Sequence, residues 1–276
     1  MLATLLERDT GVALPMSRAL VERYGGELRF PKRSPYVFAN FVSSVDGIVS
    51  YDEPGIERAR EVSAGHAADR FMLALLRAAA DAVIVGAGTL RKEPGVWTAA
   101  SVAPDLADDF ADLRARLHLR PHPTTILVTS SGEADASLPV FRGEAPVVIA
   151  TTREGARRAG SLPNARAEIV GDSGPLRPRA LIDLAVRESA GGRILTEGGP
   201  TLFGQFLQDG VIDELFLTIA PRLAGRSRDK RRLALVEGTA FTPSGSPRGR
   251  LLSLKLADEY LFARYALRDG GARGEG

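Results

Sequence analysis

Apolar positions along the chain fall into two alternating rhythms. The run Tyr36-Val37-Phe38-Ala39-Asn40-Phe41-Val42-Ser43-Ser44 is too continuously apolar for a half-exposed strand and predicts one inside a sheet. Asp69 to Ala80 then repeats at helical spacing, with Phe71, Leu75 and Leu76 on one side. Further short runs predict strands at Ala82 to Val85, Thr124 to Val128, Val147 to Ala150, Ala167 to Val170, Arg193 to Glu197 and Ile212 to Ile219. Between them the spacing predicts helices over Ala107 to Leu117, Arg153 to Gly160, Arg179 to Ser189 and Thr201 to Gln208. Strands separated by helices of this length need crossover connections, hence a parallel sheet with helices on both faces.

The end of the chain departs from this rhythm. Leu251 to Leu256 and Tyr260 to Arg268 are strand-like and joined only by Ala257-Asp258-Glu259, a link that permits only an antiparallel hairpin. The expected fold is therefore α/β, a mainly parallel central sheet flanked by helices, with a C-terminal antiparallel hairpin. Residues 1–35 carry one short amphipathic stretch (Ala19 to Tyr24) before Gly25-Gly26 and Pro31, and read as an N-terminal arm. The basic, Pro/Gly-rich segment from Gly225 to Gly249 reads as a long surface loop, and Asp269 to Gly276 as a frayed tail. With no internal repeat and no linker, residues 36–268 are expected to form one domain.

Composition narrows the chemistry. The 276 residues include no cysteine, which removes disulfides, thiolate metal sites and cysteine nucleophiles together. A formal charge of +2 does not suggest nucleic acid or a membrane surface as partner. No apolar run approaches the ~18–20 residues of a membrane span, and no signal-peptide pattern opens the chain, so a cytoplasmic protein is expected.

Two glycine turns carry the strongest chemical signal. Ala82-Val83-Ile84-Val85 is followed by Gly86-Ala87-Gly88-Thr89-Leu90, and Ile194-Leu195-Thr196-Glu197 by Gly198-Gly199-Pro200-Thr201-Leu202. A glycine turn at the carboxyl end of a parallel strand lets backbone N–H groups approach an anion, and a following helix adds its positive end. Two such turns suit the two phosphates of a dinucleotide, while the bland alternative is glycine used only for its dihedrals. The Rossmann fingerprint is absent, because Arg91 stands where its third glycine would be, and no P-loop occurs.

These segments, with Val211-Ile212-Asp213-Glu214-Leu215, Ile219-Ala220-Pro221-Arg222-Leu223-Ala224-Gly225, Ser43-Ser44-Val45-Asp46-Gly47 and Leu75-Leu76-Arg77, closely resemble one known family. That family is the reductase domain of the bifunctional riboflavin-biosynthesis deaminase-reductase, built like dihydrofolate reductase. The resemblance runs in order from Tyr36 to Arg268. It implies an NADPH site at Val42 and Ser43, at Gly86, Gly88 and Thr89, and along Gly198, Gly199, Pro200, Thr201, Leu202 and Phe203 as far as Gln205. Ser130 falls where the family meets the adenosine end of the cofactor, and Arg153 is a nearby basic residue for a 2′-phosphate. Substrate contacts fall on Asn40, Ser44, Arg77 and Glu197, with Arg77 near the substrate phosphate. The implied reaction is hydride transfer to ribose C1 of 5-amino-6-(5-phosphoribosylamino)uracil, with Asp46, Glu197 or bound water as the proton donor. Related reductases are commonly dimers, so a homodimer acting on a small molecule is expected.

The chain departs from the family chiefly on the substrate side. Asn40 replaces a usual lysine, Ser50-Tyr51-Asp52-Glu53-Pro54-Gly55 replaces a Ser-Gly-Glu-Ser segment, and Lys92-Glu93 stands for a pair of aspartates. The family's deaminase half has no counterpart here, and without cysteine its zinc site could not be rebuilt. These changes leave open a reductase of another heterocycle, such as a pterin or dihydrofolate, or a non-catalytic dinucleotide-binding protein. Three weaker motifs are set aside: Gly171-Asp172-Ser173-Gly174-Pro175 for its α/β context, His118 and His122 for the prolines around them, and the basic run Arg226 to Arg232 for its lack of aromatics.

Overall fold

The computed structural model describes residues 1–56, 58–160, 162, 164–189 and 191–268. Ten strands form the principal sheet among these residues. In chain order they are β1 (Ala3–Glu7), β2 (Tyr36–Ser44), β3 (Ala82–Gly86), β4 (Thr124–Val128), β5 (Val147–Thr152), β6 (Ala165–Gly171), β7 (Arg193–Thr196), β8 (Glu214–Ala220), β9 (Arg250–Ala257) and β10 (Tyr260–Ala266). The helices are α1 (Arg18–Tyr24), α2 (Ala59–Ser63), α3 (Ala67–Ala79), α4 (Ala87–Lys92), α5 (Ala107–Arg116), α6 (Arg153–Arg158), α7 (Pro178–Glu188) and α8 (Pro200–Gln208).

Across the sheet the order is β1-β9-β10-β8-β2-β7-β3-β4-β5-β6. Strands from β8 through to β6 run parallel, and β1, β9 and β10 complete the opposite edge antiparallel. From β3 the chain steps outward to β6, then returns to place β7 between β2 and β3 and continues to β8 on the far side of β2. That reversal opens a crevice at the carboxyl ends of β2, β7 and β3, where ligands of open α/β sheets bind. The continuously apolar β2 lies at this centre, hydrogen-bonded on both sides.

Each face of the sheet buries its own core. Phe38, Val83 and Phe216 pack beneath α1, α3 and α5 through Leu20, Leu75 and Phe110. Val37, Ile84 and Ile194 pack beneath α7 and α8 through Leu181, Phe203 and Phe206. The expected hairpin is present, with Ala257 paired to Tyr260 and Asp258 in the left-handed region at φ 49°.

Two expectations need correction. Order does not begin at Tyr36: β1 pairs with β9, and Leu2, Leu20, Tyr24, Leu28 and Phe30 are all buried in the first core. The arm was invisible to local pattern because its anchor is a distant ion network. Arg264 of β10 donates to Glu214 of β8 at 2.8 and 3.0 Å, to Asp9, and to the Arg29 carbonyl at 2.6 Å. Its guanidinium lies between the rings of Phe30 and Phe216, 5.2 and 4.9 Å from their centroids. Nor is residue range 225–249 wholly a surface loop. Leu233–Ala234 pairs with Ile48–Ser50, and Leu235 and Val236 pack against the second core. The tail from Asp269 to Gly276 lies outside the described residues.

The Arg264 network predicts an uneven response to mutation. Arg264→Ala leaves two buried carboxylates without their cation and should cost about 3–5 kcal/mol in urea unfolding. Arg18→Ala, which removes an exposed pair with Glu22, should leave the midpoint unchanged. An Arg264 variant as stable as the parent would show that the arm is held by its apolar residues alone.

Candidate active site

A cavity of about 340 Å³ opens at the crevice between β2, β7 and β3. Asn40, Phe41 and Val42 bring it the end of β2, and Gly86, Gly88 and Thr89 the turn into α4. Glu197, Gly198, Gly199, Pro200, Thr201 and Leu202 bring it the turn into α8. The two glycine turns therefore face one space, as their positions after neighbouring strands require.

None of these four glycines lies in the left-handed region, so the turns do not need them for their dihedrals. What they supply is room. A Cβ on Gly86 would point into open space, and one on Gly199 would stand 3.2 Å from Thr89 Oγ1, across from the other turn. At Gly198 a Cβ would come within 2.6 Å of the Leu202 side chain, so this glycine also seats α8 against its strand. Helix α8 starts at Gly199 with no side-chain cap, and Pro200 occupies its first position. Its backbone donors are thus presented to the cavity mouth in the manner of an anion site. The same uncluttered cradle fits the pyrophosphate of a dinucleotide.

Below the turns lies a buried ion pair. Arg77 Nε donates to Glu197 Oε1 at 2.7 Å and Nη2 to Oε2 at 2.6 Å, with side chains only 8% and 10% exposed. The Arg77 guanidinium also lies 5.5 Å from the centre of the Trp97 ring. Nε and Nη2 are thus engaged by Glu197, and Nη1 faces the Val96 and Thr98 carbonyls at 3.5 Å, so the guanidinium braces Glu197 and is not among the residues that line the cavity. A carboxylate at the end of a buried strand is tolerated because this partner is there.

Asp46 is also placed differently from the expectation. Its carboxylate accepts from Ser44 Oγ at 2.5 Å and from the N–H groups of Ala224 and Gly225 at 3.0 and 2.7 Å. Those bonds, the Ser44 hydroxyl first, hold its pKa down to about 2. Asp46 is an ionised clamp between two turns, without a proton to give near neutrality. Ser44 belongs to the same clamp and also accepts from Ile48 N at 2.9 Å. Ser43 and Phe203 are buried behind the cavity wall, Phe203 against Phe41 with ring centroids 4.7 Å apart. Ser130 is exposed at the end of β4, where its carbonyl accepts from Thr152 Oγ1 at 2.8 Å. Arg153 is exposed and paired with Asp172 at 3.3 Å.

Several cavity residues were not expected as site members, Asp69, Leu73 and Glu93 among them. Asp69 and Leu73 line the cavity from α3, two turns and one turn before Arg77 on the same helix face. Their i, i+4, i+8 spacing was the available signal. Glu93 lines it from the end of α4 and accepts from Ala59 N at 2.7 Å. Burial raises the pKa of both Asp69 and Glu93, and Glu197 nearby raises that of Glu93 further. Lys92 also lines the cavity and pairs with Asp52 at 2.5 Å.

The motifs set aside earlier find ordinary roles. Lys230 and Arg232 pair with Glu53, and Arg231 approaches Asp52, so the basic run is folded onto the acidic segment after β2. Asp172 is an exposed turn residue. Among the described residues no group of three or more His, Asp or Glu could hold a metal, and no helix is long and apolar enough to cross a membrane.

Comparison with known proteins agrees with this architecture. Residues 35–257 match the family model described as the RibD C-terminal domain. A 2,5-diamino-6-ribosylamino-4(3H)-pyrimidinone 5′-phosphate reductase from Methanothermobacter thermautotrophicus is 28% identical over 74% of this chain and 85% of its own. The protein of the same name from Archaeoglobus fulgidus is 25% identical over 69% of this chain and 82% of its own. The crystal structure of a pyrimidine reductase-like protein from Corynebacterium diphtheriae superposes with a TM-score of 0.68 at 24% identity, covering 92% of this chain and all of that one.

The glycine geometry makes a prediction about binding without folding. Gly199→Val should lower dinucleotide affinity at least about tenfold, a loss of about 1.4 kcal/mol, because the side chain fills the gap facing Thr89. The melting temperature should stay close to that of the parent, since the backbone angles there suit any residue. A folded Gly199→Val protein with unchanged affinity in a fluorescence titration would show that the turn binds nothing.

Proposed function

The chain belongs to the RibD C-terminal domain family, and from that premise we propose that it is an NADPH-dependent reductase of the riboflavin-biosynthesis type. The reaction is reduction of the ribosyl group on an aminopyrimidine 5′-phosphate to a ribityl group. The observation that carries this reading is the pair of glycine turns facing one cavity beside Glu197, with room in place of side chains. The sequence relatives named as pyrimidinone phosphate reductases support the same reaction class. A homodimer in the cytoplasm accompanies the reading through the family resemblance. Folding of the basic run onto Asp52 and Glu53 argues against a nucleic-acid partner.

The nicotinamide cofactor supplies the hydride when bound; orientation and proton supply fall to the chain. The start of α8 and the Gly86–Thr89 turn would hold the cofactor's phosphates by backbone donors. Glu197, fixed by Arg77, holds the sugar in place. Once the ribosyl ring opens to an imine, hydride arrives at C1 and one proton must reach the exocyclic nitrogen. Asp46 is held ionised and Glu197 is engaged by Arg77, so neither of the expected donors suits that step. Glu93 does, because burial and the neighbouring carboxylate favour its protonated form.

NADPH oxidation followed with the aminopyrimidine ribosyl phosphate tests the activity directly, and absence of turnover with a folded, cofactor-bound protein would refute it. Glu93→Gln should lower kcat by about 10²-fold or more. In the parent the rate should fall as pH rises through the raised Glu93 pKa, since the acid form is then lost, and the variant should lack that limb. An unaltered pH profile in the variant would remove Glu93 from proton transfer.

The 2′-phosphate assignment rests on Ser130, exposed at the carboxyl end of β4. NADPH should bind more tightly than NADH at one salt concentration. Ser130→Asp should weaken NADPH about tenfold or more by setting like charges together while leaving NADH unchanged. Equal loss for both cofactors would place Ser130 away from the 2′ position.

A further inference from the structure

A second cavity lies at the amino ends of β2 and β7, away from the glycine turns. It measures about 360 Å³, against about 340 Å³ for the candidate active site. Gly191 and Arg193, at the entry into β7, line it together with the segment from Phe30 to Ser34 that leads into β2. Arg193 opens the strand that Glu197 follows, so about 13 Å of extended chain at 3.3 Å per residue separates the two sites. Part of the lining is apolar. Val12–Ala13 pairs with Arg29–Phe30, and this short ladder brings Val12, Leu14 and Phe30 to the cavity, where Leu117 joins them from the end of α5.

The charged side chains that line it, Lys32, Arg33 and Arg193, are all cations. Arg33 has a partner, the buried Asp213, and lies 5.4 Å from the centre of the Tyr36 ring. Arg193 donates through Nε to the Ala79 carbonyl at 2.7 Å, and its Nη1 and Nη2 meet no protein acceptor among the described residues. Asp81 supplies none, because its two oxygens accept from the Gly191 and Arg193 backbone N–H groups at 2.6 and 3.1 Å. Burial lowers the Arg193 pKa and Asp81 offsets that in part, while Arg114 lies close enough to add like charge. Lys32 pairs with no carboxylate among the described residues.

These features specify a ligand. A guanidinium with two uncommitted donors suits two oxygens of one anion. The positive charge left unpaired on Arg193 and Lys32 suits a dianion, and the apolar lining suits a flat, weakly polar body. We propose that this cavity is a second binding site, for a phosphate monoester carried on a small aromatic or heterocyclic body, gripped by Arg193 and Lys32. The site is independent of the hydride chemistry at the other end of the sheet.

Binding of 1-naphthyl phosphate to the NADP⁺-saturated protein, measured by calorimetry beside 1-naphthol and inorganic phosphate at one ionic strength, tests it. Naphthyl phosphate should bind with a Kd below about 1 mM, and each of its halves at least about tenfold more weakly. Arg193→Gln should weaken naphthyl phosphate at least about tenfold, because the charged fork is lost. Lys32→Glu, at an exposed position, should weaken it about tenfold by setting a like charge against the phosphate. Naphthol binding as tightly as its phosphate would overturn the role of the cations, and inorganic phosphate binding as tightly would overturn that of the apolar lining. Absence of binding by the parent, or unchanged affinity in Lys32→Glu, would overturn the site itself, whether or not the Arg193 variant folds.

Discussion

The bidentate bond between Arg77 and Glu197 is the constraint on which the site depends. It joins the last turn of α3 to the residue that follows β7, at 2.6 and 2.7 Å and almost out of water. Breaking such a pair from one side leaves a buried charge without compensation, so the two elements are fixed relative to each other. Everything around the cavity follows from that. The glycine turn begins at the residue after Glu197, and Asp69 and Leu73 extend from the same face of α3 that carries Arg77. One interaction thus sets the glycine turn and the cavity face of α3 in a common frame.

Much of this frame could be read from the chain. The apolar run of β2, the alternation from β3 to β8 and the short hairpin link each encode local geometry, and local geometry is what periodicity reports. The glycine turns were legible for the same reason, since their positions after buried strands fix which end of the sheet they occupy. With no left-handed angles at Gly86, Gly88, Gly198 or Gly199, space for a neighbour remains as the reason for glycine there.

What stayed hidden was long-range pairing. Arg77 looks alike in sequence whether it meets a phosphate or a carboxylate, and its partner is 120 positions away. Asp46 reads as a plausible acid until Ala224 and Gly225 close on it from a distant loop. The N-terminal residues look like an arm because their anchor, Arg264, belongs to the last strand. Glu93 and Asp69 are ordinary surface letters whose burial is decided by neighbours on other elements. The residues lining the rest of the cavity suffer most from this, because they come from several different elements, whereas the glycine cradle is built from two contiguous segments.

The account's central claim is that this cavity carries hydride from nicotinamide to a ribosyl carbon. Reduction with NADPH deuterated at C4, followed by mass spectrometry and NMR of the product, measures that transfer itself. The account predicts one deuterium at the carbon that was ribose C1, with none acquired there from deuterated water when unlabelled NADPH is used. Bound NADPH that keeps its label while the aminopyrimidine ribosyl phosphate is returned unchanged would contradict it.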